Sequence, residues 1–184
     1  MQTMTALARS APAPTGTGDL VRAAQRGDRD AFATLYSGFA RMVHGVLLSR
    51  VPHAAAEDLV QDVFIAAMEG LESLREPEAF GGWLCTIARN RATDFLRRSP
   101  QMTALPDTLT SLAAGPADRS EALAVLAVIR AMPDAYRETL TLRLVEGMTG
   151  PEIAVRTGLT EGSVRVNLHR GMKLLRERLE RRPA

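Results

Sequence analysis

Between Ser163 and the C-terminus stand seven Arg and Lys against two Glu, on a chain whose formal net charge is only +2. Guanidinium and ammonium groups gathered in one stretch hold phosphate, so the chemistry they offer is adhesion to a nucleic-acid backbone rather than bond making. On a helical wheel of about 100° per residue, Val166, His169, Arg170 and Lys173 share one face, with Arg165 and Arg176 on one flank and Asn167 on the other. Val164, Leu168, Gly171, Leu175 and Leu179 form the opposite stripe, which faces a core. A charge run alone reads as a solvated amphipathic helix, and the residues before it decide otherwise. Thr149 stands three residues before Glu152, the spacing of a capping box, and Pro151 fits the first turn that follows. Ile153 and Ala154 give that helix a small apolar face, it ends near Thr157, Gly158 makes a sharp bend, and Thr160 caps the next helix. A helix, a glycine turn and a second helix with a basic outer face lay that second helix into a DNA major groove.

Charge is segregated elsewhere too. Residues 57–80 hold seven acids and one Arg, whereas residues 81–98 hold four Arg and one Asp. Carboxylates repel phosphate, so the acidic stretch implies a protein partner and the arginine-rich stretch implies DNA. The remaining chemistry is thin. The three histidines, His44, His53 and His169, are scattered, and Cys85 is the only cysteine, which excludes an internal disulfide and a cysteine zinc site. No phosphate-binding loop and no nucleophile with a recognisable base occurs, so no enzyme activity, metal or cofactor is expected, and Cys85 reads as a small buried residue. The N-terminal MQTMTALARSAPAPTGTG lacks an apolar core of signal-peptide length, and the longest apolar run, Ala122 to Ile129, is too short to span a bilayer. These features predict a cytoplasmic protein with no membrane insertion.

Positioning those groups takes an all-α chain of two small helical domains joined by a flexible linker. Residues 1–18 are rich in Ala, Pro, Thr and Gly without periodicity and are expected to form a disordered arm. The first domain spans 19–98. Asp19 caps a short helix through Arg26, and Asp28 or Asp30 caps a longer one to about Arg50, whose Phe32, Leu35, Tyr36, Phe39, Val43, Val46 and Leu47 repeat at core spacing. A third helix runs over 54–70 with Leu59, Val60, Val63, Phe64, Ala67 and Met68 inside, and a fourth from about Trp83 to Arg98 is apolar at Leu84, Ile87, Ala88 and Phe95. Thr86, Arg89, Asn90, Thr93 and Arg97 share an outward arc, while Trp83 belongs with the core. Residues 99–120 carry three prolines and little periodicity, which predicts the linker. The second domain, 121–182, has an apolar helix from Glu121 to Met132, another from Ala135 to Glu146 with Tyr136, Leu140 and Leu144 on one side, and then the helix-turn-helix.

Three strings in order, AEDLVQDVFIAAME at 56–69, FGGWLCTIARNRATDFLRR at 80–98 and MPDAYRETLTLRLVEGMTGPEIAVRTGLTEGSVRVNLHRGM at 132–172, resemble a bacterial extracytoplasmic-function (ECF) sigma factor. The likeness covers about residues 19–180. It implies a dissociable subunit that brings RNA polymerase core enzyme to promoter DNA and helps to open it. It implies contacts with core polymerase at Asp58, Gln61 and Asp62, and minus-ten reading by the loop from Glu76 to Gly82 together with Phe80, Arg89, Asn90, Thr93 and Arg97. It places minus-35 contacts on Arg165, Val166, Asn167, His169 and Arg170, to which the basic face adds Lys173. The commoner pattern has a small polar residue at Val166 and a basic one at Asn167; here Val166 can touch a thymine methyl and Asn167 can pair with adenine. The resemblance also implies a stress-responsive factor held inactive by an anti-sigma protein.

A self-sufficient helix-turn-helix regulator is the alternative. It predicts dimerisation and tight binding to a palindromic operator without polymerase, whereas the sigma reading predicts weak promoter binding by the isolated chain. A gel shift with the chain alone separates the two.

Overall fold

The computed structural model describes residues 16–98 and 116–181, and these are all-α. The first unit contains α1 (Thr17–Gln25), α2 (Arg29–Leu48), α3 (His53–Gly70), two short 3-10 turns (Leu71–Ser73 and Pro77–Ala79) and α4 (Phe80–Arg98). The second contains α5 (Pro116–Arg130), α6 (Asp134–Leu144), α7 (Gly150–Thr157) and α8 (Glu161–Glu180). Most of the predicted arm and linker, residues 1–15 and 99–115, lies outside the described residues.

Local chemistry accounts for the boundaries. The Asp28 carboxylate accepts the amides of Asp30 and Ala31, both at 3.0 Å, and starts α2. That helix stops at Leu48, slightly before the predicted Arg50, because the amides of Arg50 and Val51 both fold back onto the Leu47 carbonyl ahead of Pro52. Asp19 does not cap α1, which is preceded by Gly16; it lies in the first turn and pairs with Arg22 at 3.2 Å. α4 begins at Phe80 rather than Trp83, since the 3-10 turn led by Pro77 feeds straight into it. α5 begins at Pro116, ahead of the predicted Glu121, with proline in the first turn where its missing N–H has no intrahelical role.

α2 is the axis of the first unit. Its Leu35, Phe39, Met42, Val43, Val46 and Leu47 are buried against Val21 of α1, Val60, Val63 and Phe64 of α3, and Phe80, Leu84 and Ala88 of α4. The Gln25 side-chain amide donates to the carbonyls of Leu71 (3.0 Å) and Leu74 (2.9 Å), and Arg22 reaches Glu78 at 2.5 Å, so α1 braces the segment leading into α4. Met68, predicted inside this unit, is 58% exposed, and Tyr36, one of the residues at core spacing on α2, is 40% exposed while its ring lies 4.5 Å from that of Phe64. Leu144 of the second unit is likewise 46% exposed.

The helix-turn-helix forms as its caps dictate. The Thr149 amide donates to the Glu152 carboxylate at 2.7 Å while the Glu152 amide returns to the Thr149 hydroxyl, Gly158 turns with φ 74°, and Thr160 accepts the Ser163 amide at 3.1 Å. The two units, expected to be loosely tethered, are docked. Ile129, Met132, Leu140 and Leu175 make a small cluster within the second unit, but Leu126, Leu142, Met148, Ile153, Ala154 and Val164 continue the core of the first.

Thr149→Ala is expected to lower unfolding stability by about 1 kcal/mol, and Leu47→Ala, at the centre of the α2 axis, by about 2–5 kcal/mol. Urea unfolding followed by circular dichroism reads both.

Candidate nucleic-acid and polymerase interfaces

On α8 the apolar stripe is inside and the basic face outside, as the wheel requires. Val164 and Leu175 are buried with Gly171, whereas Arg165, Val166, His169, Arg170 and Lys173 are exposed and Asn167 is half-buried. The Thr160 cap and the Gly158 turn fix where α8 starts, so the register of this face follows from the caps. Exposed Met172 and Leu144, with Arg143, Lys173 and Arg176, add a shallow cleft of about 820 Å³ between α6 and α8. Sequence reading missed Arg143 and Met172 as surface partners because their helices were judged singly.

The acidic face of α3 is also formed. Asp58, Gln61 and Asp62 are exposed, and the same row continues through Ile65 (51% exposed) and Met68 (58%) to Glu69. Carboxylates flanking two bare apolar side chains suit a protein surface better than solvent. Ile65 was missed, although its spacing of three and four from Asp62 and Gln61 carries the signal.

α4 divides the predicted minus-ten residues. Asn90, Thr93 and Arg97 are exposed. The Arg97–Asp94 pair at 2.8 Å lies on the surface and contributes little, so Arg97 can exchange it for phosphate. Phe80 is a correction: it is wholly buried, edge-on to Phe39 at 5.1 Å and tilted against Trp83 at 5.9 Å. The early start of α4 turns Phe80 into the core, where it cannot stack on a base. Gly81 and Gly82, predicted in a loop, form the first turn of α4.

Arg89 is not free either. Its Nε and one terminal nitrogen grip the two oxygens of Glu138 on α6 at 3.0 and 2.7 Å, and that carboxylate is only 7% exposed. The hydrogen bond to Glu138 raises the Arg89 pKa further, against the opposing effect of burial. Burial at Asp134 is outweighed by the hydrogen bond and charge of Arg50, which leave its pKa below the ordinary value. Cys85, one turn before Arg89, is pushed up to about 12 by burial and then by Glu138, so the thiol stays protonated and inert.

Two family models match this chain, Sigma-70 region 2 over residues 35–100 and Sigma-70 region 4 over residues 122–175. The RNA polymerase sigma factor CarQ of Myxococcus xanthus is 35% identical over 159 residues, spanning 83% of this chain and 91% of CarQ. The chain belongs to the sigma-70 family, in its extracytoplasmic-function group. The ECF sigma-E factor of Haemophilus influenzae is 30% identical over 177 residues, covering 88% of this chain and 94% of its own. Among solved structures, CnrH in complex with the cytosolic domain of CnrY has 25% identity and a TM-score of 0.60, over 89% of this chain and 97% of CnrH. This sigma factor is therefore a non-enzymatic subunit that directs polymerase core enzyme to promoters and assists their opening. That membership sets aside the self-sufficient regulator. Among the described residues no helix is long and apolar enough to cross a membrane.

Phe80→Ala is expected to cost about 3–5 kcal/mol of stability, while Thr93→Ala and Arg97→Gln stay within about 0.5 kcal/mol. Chemical denaturation of the three variants separates core from surface on α4.

Proposed function

We propose that three faces divide the work of this sigma factor. Residues 19–98 form the module for core polymerase and the minus-ten element, and residues 121–182 the module for the minus-35 element. The α3 row of Asp58, Gln61 and Asp62, with Ile65 and Met68 between and beside the acids, holds core polymerase; the bare apolar pair among carboxylates is the observation that supports this. Asn90, Thr93, Arg97 and, once released, Arg89 hold the minus-ten DNA. Arg165, Val166, Asn167, His169, Arg170 and Lys173 enter the minus-35 major groove, a reading that rests on their common exposure on the helix after the turn.

The factor works in the cytoplasm and responds to stress under an anti-sigma protein. CnrH, which this chain resembles, is seen with the cytosolic domain of CnrY, and that pairing supports control by a protein partner here.

Asp58→Arg with Asp62→Arg is expected to abolish holoenzyme assembly on size-exclusion chromatography. Arg165→Gln with Arg170→Gln is expected to leave assembly intact and to lower promoter-specific initiation by tenfold or more, at about 1–3 kcal/mol per bidentate base contact. Assembly surviving the first pair, or initiation surviving the second, overturns the corresponding assignment.

A further inference from the structure

The chain between α3 and α4, residues 71–79, folds as two short 3-10 turns, Leu71–Ser73 and Pro77–Ala79. Turns this short satisfy few of their own backbone groups, so their shape depends on what holds them from outside. Buried Leu71 and half-buried Leu74 anchor one end in the core, while Arg75, Glu76, Glu78 and Ala79 are exposed. Two side chains of α1 grip this connection from the side. Half-buried Gln25 directs its amide donors onto the Leu71 carbonyl at 3.0 Å and the Leu74 carbonyl at 2.9 Å, 46 and 49 positions away.

One turn before Gln25, Arg22 donates to the Glu78 carboxylate at 2.5 Å and to Asp19 at 3.2 Å. The bond from Arg22 holds the Glu78 carboxyl below the ordinary carboxylate range, so Glu78 is an anion at neutral pH with Arg22 as its counter-charge. Both side chains are exposed, 45% and 64%, and a pair so placed contributes little to stability. Its effect is on where charge stands. Gly18 leaves the room for it: a Cβ there would stand 2.5 Å from the Glu78 Oε1 and 3.1 Å from the Arg22 guanidinium. A larger residue at that position displaces the carboxylate.

We infer that α1 is a positioning element for promoter opening: Gln25 fixes the shape of the connection before α4, and Arg22 holds Glu78 down and cancels its charge where the minus-ten strand passes. The inference rests on the reading that this connection and the α4 face together meet the minus-ten element. A single strand is tracked by cations and stacking surfaces, so an uncompensated carboxylate beside its phosphates opposes binding. A loop already in shape adds no ordering cost when the strand arrives. Gln25 and Arg22 touch no DNA themselves; they act through residues 71–79.

The test uses polymerase holoenzyme assembled with the full chain or a variant and isolated by size-exclusion chromatography. Its probe is a labelled duplex promoter that the unaltered holoenzyme selects from random-sequence DNA. Fluorescence anisotropy in the cold reads closed-complex affinity, and permanganate reactivity of minus-ten thymines at saturating holoenzyme reads opening. Gln25→Leu and Arg22→Gln are each expected to slow opening about tenfold, the effect of about one lost hydrogen bond, with closed-complex affinity changed by less than about twofold. Adding Glu78→Gln to Arg22→Gln is expected to restore the rate, which the loss of a merely structural contact would not allow. Arg22 is exposed, so its variant folds even where Gln25→Leu does not. Unchanged opening in both single variants overturns the role of α1. Opening that stays slow in the Arg22 and Glu78 double variant overturns the charge argument. Thr93→Ala with Arg97→Gln, run in parallel, separates the two readings. Unaltered opening there strikes the minus-ten assignment and this inference with it, whereas slowed opening there with normal α1 variants strikes α1 alone.

Discussion

A carboxylate shut away from water between two arginines governs how the halves of this sigma factor meet. Glu138 is on the second unit, Arg89 and Arg50 are on the first, and only 7% of the Glu138 side chain is exposed. Removing a carboxylate from water is costly, and the cost is offset only where good geometry and further hydrogen bonds replace the lost hydration. Arg89 supplies that geometry with two nearly parallel bonds. Withdrawing Arg89 would leave the Glu138 carboxylate buried with only the more distant Arg50 beside it, whereas Arg89, 37% exposed, would keep its access to water. The surrounding contacts of Arg130, Arg156 and Glu146 then follow, because α6 cannot seat Glu138 without bringing α5 and α7 onto α2 and α4.

Arginine carries nearly all the cationic work in this chain, with Lys173 the only lysine. Its planar fork suits both tasks assigned to it. It pairs bidentately with carboxylate inside the protein, and it presents the same nitrogens to phosphate outside it. One residue type can thus serve contacts between the two units and DNA holding. The acidic row lies on α3, which does not touch α6, and exposed Ile65 and Met68 give it apolar grip.

Where local signals were strong, sequence reasoning was accurate. The Thr149–Glu152 box, the Gly158 turn and the Thr160 cap each depend on residues within a few positions of one another, and all three form. The α8 wheel then sorted Val164 and Leu175 inward and Arg165, His169, Arg170 and Lys173 outward. The errors fell where a neighbour outside the segment decided the outcome. Met68 has core spacing on its own helix, yet it is 58% exposed. Phe80 was taken as a loop residue because Pro77 and the Gly81–Gly82 pair suggested irregular chain; the 3-10 turn carried the helix back to it and buried it against Phe39.

Sequence by itself determined what nearby residues settle: the all-α class, the caps and turn of the helix-turn-helix, the basic outer face of α8, and the separation of acidic α3 from arginine-rich α4. Hydrogen bonds at helix ends and the period of the helix act over one or two turns, so they can be read along the chain. Tertiary structure alone decided that Arg89 faces Glu138, 49 positions away, that Gly45 lies beneath Leu142, and that Phe80 is core. Those outcomes depend on which surfaces exclude water from each other, and a one-dimensional pattern of polar and apolar residues does not say which face meets which.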